Sequence, residues 1–146
     1  MSRAFTDLFV HVVWSTFGRT PWIVEFIEKP LYAMMTRKCQ ELECAPIALG
    51  GTSDHVHLLV GLAPTIAVAT LVKEIKGAST HFVTHVSAPG QPFRWQRGYG
   101  AFSLRRADLP TVRDYIAKQK THHLANTIME EWEPPENDDS AITNRM

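Results

Sequence analysis

The stretch GGTSDHVHLLVG, residues 50–61, sets two histidines one residue apart at the head of an apolar run. On a helix, His55 and His57 would point about 200° apart, whereas on a strand residues two apart line one face. The turn-forming Gly-Gly-Thr-Ser-Asp before them and the run of Val56, Leu58, Leu59 and Val60 predict a strand. Both imidazoles then face the same way.

Working outward, the turn near Gly50–Asp54 pairs this strand with one over residues 45–52. Residues 5–16, FTDLFVHVVWST, carry the Phe, Val and Trp mixture of a buried strand. Between these two, PLYAMMTRKCQELE reads as a helix that Pro30 could open. After the histidine strand, Thr65 can cap the long helix IAVATLVKEIKGASTHFVTHV, whose Ile66, Leu71, Val72, Ile75, Phe82 and Val83 keep a helical stripe. SAPGQP breaks it, a fourth strand FRWQRGYGAFSLRR follows, and Asp108 with Pro110 starts a third helix through about residue 127. The order β-α-β-β-α-β predicts an α+β fold, a ferredoxin-like antiparallel sheet with one helix appended at its carboxyl end.

The 146 residues suit one domain, and 45% hydrophobic with 21% charged content suits a folded one rather than a disordered chain. Residues 1–129 are expected to form it, and 130–146 to be an acidic tail without a fold of its own. No stretch approaches the roughly 20 apolar residues of a membrane span, and the first residues lack a signal peptide's apolar core, so a cytoplasmic location is expected. Cys39 and Cys44 read as packing residues, since no second pair completes a zinc knuckle.

The formal net charge is zero, yet the charges are unevenly spread. From Glu130 onward six acids face one base, which leaves residues 1–129 at +5. Seven bases, from Arg94 to Lys120, fall in one segment against only Asp108 and Asp114, a plausible phosphate-facing surface.

Two imidazoles on one face are good ligands for a divalent ion, but two ligands alone make a weak site. In VRDYIAKQKTHH, Tyr115 and Gln119 stand four apart and share a helical face. A glutamine amide oxygen is a hard neutral ligand, and a tyrosine beside it could attack a substrate atom held by the ion. Taken singly, each feature has an ordinary reading: the histidine pair as structural or as polar residues at the surface, Tyr115 as core, Gln119 as solvent-facing, and His122 and His123 as helix-end cations. His11 reads as a satisfied strand residue, and His81 and His85 as a solvated helix face. The aromatic residues Phe93, Trp95, Tyr99 and Phe102 also keep open a non-catalytic module that stacks single-stranded bases.

The conjunction of DHVHLLV, WQRGYGAFSL and Tyr-x-x-x-Gln, with HVVWSTFGRTP and LVKEIKGAST before them, resembles the HUH single-tyrosine transposases, which include insertion-sequence and REP-associated enzymes. The resemblance covers roughly residues 8–123. It implies Tyr115 as the catalytic nucleophile and His55, His57 and Gln119 as ligands of Mg2+ or Mn2+. It implies cleavage and rejoining of single-stranded DNA through a 5′-phosphotyrosine link, hairpin-forming DNA as the partner strand, and a homodimer. A domesticated nuclease that cuts repeats without moving an element is the nearest enzymatic alternative. Charge alone nominates Lys73, Lys76, Arg94, Arg97, Arg105 and Arg106 as DNA contacts.

Overall fold

The computed structural model describes residues 4–120. Four strands, β1 (Phe9–Ser15), β2 (Ala45–Gly51), β3 (His55–Gly61) and β4 (Gly100–Leu104), form one antiparallel sheet in the order β2-β3-β1-β4. Helices α1 (Glu25–Glu41) and α2 (Val68–Phe82) cover one face, and α3 (Leu109–Ala117) covers the other. This is the expected ferredoxin-like arrangement with its appended helix.

β1 and β3 are central and covered on both faces, so their alternation separates two kinds of interior. Val10, Val12, Trp14, Val56, Leu58 and Val60 pack with α1 and α2 in the main core. The intervening residues face α3: Leu59 packs with Val112 and Ile116, and His11, His55 and His57 lie on the same side. A one-residue slip in register would exchange these sets, so the apolar core holds the histidines on the α3 face.

Several element boundaries differ from expectation. α1 starts at Glu25, so Pro30 lies inside it and does not open it; Glu25 and Glu28 complement the amide-rich first turn instead. Thr65 does not cap α2, because a turn from Ala63 to Ile66 intervenes and the capping position falls to Ala67. The fourth strand is shorter than FRWQRGYGAFSLRR. Gly98, at a φ of 84°, turns the chain, so Gly100–Leu104 pairs with β1 while Trp95 meets Thr16 in a single bridge. α3 ends at Ala117, Lys118 forms a turn, and helical backbone resumes at residues 119–120. The rest of the expected helix, His122, His123 and the acidic tail lie outside the described residues.

Cys39 and Cys44 are buried and unbridged, and burial, with the neighbouring Cys44, pushes the Cys39 thiol up to about 12. They are packing residues. Among the described residues no helix is long and apolar enough to cross a membrane.

Candidate active site

The tight seat of α3 on the sheet builds the site. Gly50 on β2 stands opposite His57, and a Cβ there would collide with the backbone oxygen of Ile116. The missing side chain lets the end of α3 rest on the strand backbone. Lys120 Nζ, just beyond that end, reaches Glu28 on α1 at 2.7 Å, tying it across the β2 edge.

Under this helix the four residues singled out by spacing come together. The His55 and His57 rings stand 5.1 Å apart at 71°, and the Tyr115 ring meets His57 edge-on at 5.9 Å. Gln119 Oε1 lies 3.1 Å from His55 Nε2. The histidines are fully buried, and Gln119 at 1% and Tyr115 at 5% exposure nearly so. The ordinary readings of a surface histidine pair and a solvent-facing glutamine therefore do not hold.

Three further residues, none of them assigned to the site from the sequence, contact the Nδ1 atoms of the histidines. Asp54 Oδ1 lies 2.8 Å from His55 Nδ1, with Thr52 Oγ1 at 3.0 Å. Burial works to raise the Asp54 carboxyl, but the His55 hydrogen bond and the charges of Arg19 and His55 outweigh it and hold the group at about 2. Asp54 is thus an ionised, acceptor-only group placed to accept a hydrogen bond from His55 Nδ1–H, and where that is the ring's one proton a lone pair is left at Nε2. His11 Nε2 lies 2.8 Å from His57 Nδ1, so His11 is part of the site and more than a satisfied strand residue. Its signal in the sequence was a polar residue on the same β1 face as Val13 and Ser15, amid an apolar run; Asp54 was visible as the residue directly before His55.

The donor set suits a small divalent cation. With its single ring proton on Nδ1, His55 would present an Nε2 lone pair toward the Gln119 carbonyl oxygen 3.1 Å away, and an ion between them would replace the hydrogen bond that a proton on Nε2 makes to that oxygen. Adjacent ligands of an octahedral ion with bonds of about 2.1 Å stand roughly 3.0 Å apart, so the spacing fits one edge of such a sphere. Among the described residues no cluster of three or more His, Cys, Asp or Glu is placed to hold an ion, so Gln119 would have to serve as the third donor.

The charge-nominated residues fall at two ends of the sheet. Arg94 and Arg97 are exposed near Thr16, the end that carries His55; the Arg94 guanidinium stacks 3.7 Å over Phe17. Lys76 Nζ donates to the backbone oxygens of Gln96 at 2.9 Å and Gly98 at 2.6 Å, and burial lowers it to about 8. Lys73 is exposed on α2. At the far end, Arg105 is paired with Asp108 at 3.0 Å and Arg106 with Asp7 at 2.7 Å.

Comparison with known proteins bears on the family and the fold. The family model described as IS200-like transposase matches residues 4–119. No curated protein matches by sequence. Among solved structures, a provisionally named transposase from Deinococcus radiodurans R1 is similar at 23% identity and a TM-score of 0.63, with 82% of this chain and 96% of that one covered. A REP-associated tyrosine transposase bound to a REP hairpin is similar at 18% identity and a TM-score of 0.63, over 84% of this chain and 74% of that one. At these identities the two structures bear on the fold, and the family model on kinship.

Proposed function

The chain belongs to the IS200-like transposases, and from that premise we propose that it cleaves and rejoins single-stranded DNA through a 5′-phosphotyrosine link, with Tyr115 as nucleophile. The observation that carries the reading is the convergence of His55, His57, Tyr115 and Gln119 beneath one helix. A module that only stacks bases has no use for that convergence.

The Tyr115 phenol oxygen forms a bond to phosphorus, the bond from phosphorus to the 3′-oxygen breaks, and the phenol's proton leaves while the 3′-oxygen gains one. The phosphodiester's free energy is kept in the protein link, so another 3′-hydroxyl can reverse the step. His55, His57 and Gln119 would hold Mg2+ or Mn2+. Such an ion supplies positive charge that offsets the repulsion between phosphodiester and phenolate and eases departure of the 3′-oxygen. All three ligands are neutral, which leaves that charge for the substrate. Asp54 holds His55 in its ligating tautomer.

The partner we propose is hairpin-forming single-stranded DNA, and the working form a homodimer; the similar protein bound to a REP hairpin supports the first. Burial of the histidines means that α3 must lift to admit a phosphate and settle again for Tyr115 to attack.

Tyr115→Phe removes one oxygen and keeps the ring that packs against His57. Wild type should give a denaturation-resistant adduct on the 5′ end of a cleaved strand when a divalent ion is present, and Tyr115→Phe should give none. An adduct that persists in the variant moves the nucleophile to another tyrosine. No adduct from wild type with any hairpin-flanking strand and either ion defeats the transposase chemistry itself.

A further inference from the structure

We propose that His11 is a positioning residue: it decides which ring nitrogen of His57 carries a proton, and so whether His57 can ligate an ion through Nε2. This rests on the ligand reading of His57 given above. His11 Nε2 and His57 Nδ1 are 2.8 Å apart, with the rings tilted by 31° and both residues at 1% exposure or less. The two sit diagonally on one face, because His57 is opposite Val13 while His11 is opposite Leu59 and Phe102. Both rings are buried, so neighbouring side chains restrain them in this contact.

Two neutral imidazoles share one proton across such a contact. If His57 donates from Nδ1, its Nε2 keeps a lone pair. If His11 donates from Nε2, the His57 proton must lie on Nε2, and the ring cannot ligate there. The two histidines of the pair are therefore held differently. A carboxylate has no proton to donate, so Asp54 favours the His55 proton on Nδ1. His11 can accept or donate, so it fixes His57 only when its own proton lies on Nδ1. An ion at Nε2 and a His11 acceptor favour each other, because each stabilises the same proton arrangement.

The test reads the proton directly. In ion-free protein labelled with 15N-histidine, long-range 1H–15N spectra should show His57 protonated at Nδ1. His11→Phe, which cannot accept, should move that proton to Nε2 and weaken Mn2+ binding, followed by calorimetry, by about ten- to a hundred-fold. His11→Gln, whose amide oxygen can accept, should keep both properties within a few-fold. If His11→Phe does not fold, the wild-type spectrum and His11→Gln decide the matter. A wild-type His57 proton on Nε2 overturns the proposal, as does a His11→Phe protein with unchanged tautomer and affinity. If Mn2+ binding is abolished by His55→Ala with His57→Ala but untouched by His11→Phe, the role of His11 falls while the metal reading stands. If wild type shows the Nδ1 tautomer and binds no Mn2+, the metal reading falls and takes the ligand consequence with it.

Discussion

Asp54 contributes one carboxylate oxygen to His55 Nδ1 and the same oxygen to Arg19 at 3.3 Å. Removing it by Asp54→Ala frees the His55 proton to occupy either nitrogen, so divalent-ion affinity is expected to fall by about ten- to a hundred-fold with the fold retained. Calorimetric titration checks this, and equal affinity in the variant would show that His55 needs no such partner. The carboxyl also carries a pH signature. Its folded value of about 2 lies below the ordinary 3.8, so the folded state holds the charged form more tightly than the unfolded state does. The stability that Asp54 adds is therefore complete above about pH 3.8 and fades as pH falls toward 2. Denaturant melts of wild type and Asp54→Ala should converge over that window, and a constant gap down to pH 2 would contradict the assignment. The histidine pair was legible from its spacing alone, because period two in a strand fixes a shared face. His11 was not, since a hydrogen bond between β1 and β3 depends on register, which a single sequence does not specify; Asp54 stands directly before His55, but whether its carboxylate reaches Nδ1 depends on the conformation of the turn.

The order of the elements was readable from alternating strand and helix periods, but the seat of α3 was not. Gly50 falls in the strand expected over residues 45–52, but nothing in the sequence shows that its bare backbone meets the Ile116 oxygen. Gly50→Ala must push α3 outward, away from His57 and His55. Overpacking of this kind costs about 1–3 kcal/mol, and a displacement near 1 Å at reacting groups costs roughly a hundred-fold in rate. The expected outcome is a soluble, folded variant whose adduct forms about a hundred-fold more slowly and whose α3 amides exchange hydrogen faster than wild type. An unchanged adduct rate would mean that α3 does not act from its docked position. Helix starts misread from Pro30 and Thr65 have the same physical origin: caps are chosen by neighbouring turns, and the Ala63–Ile66 turn outcompetes Thr65.

Across the whole molecule, the seven bases between residues 94 and 120 looked like one patch because sequence proximity was the only available measure of closeness. Folding divides them. Phe9 of β1 pairs with Leu104, and Val13 pairs with His57, so Leu104 is four strand residues, roughly 13 Å, from the level of His57, and Arg105 and Arg106 lie beyond it. There they are neutralised by Asp108 and Asp7. Arg94 and Arg97 are exposed at the histidine end, on a loop that Lys76 clamps through Gln96 and Gly98 and that Gln96 N bonds to Ser15. They border a cleft of about 550 Å³ against α2, where His81 and His85 stack at 4.2 Å and, among the described residues, no carboxylate lines the wall. The DNA path we propose takes this end of the sheet, because Arg94 and Arg97 are exposed there beside Thr16 at the end that carries His55. Replacing both Arg94 and Arg97 with alanine is therefore expected to weaken hairpin-DNA binding and to flatten its salt dependence by about 0.7 in log–log slope for each lost phosphate contact. Replacing both Arg105 and Arg106 should leave slope and affinity close to wild type, because those charges already have partners. Binding isotherms over a salt series separate the two pairs, and a larger loss of slope from the Arg105 and Arg106 variant would place the DNA path at the other end of the sheet.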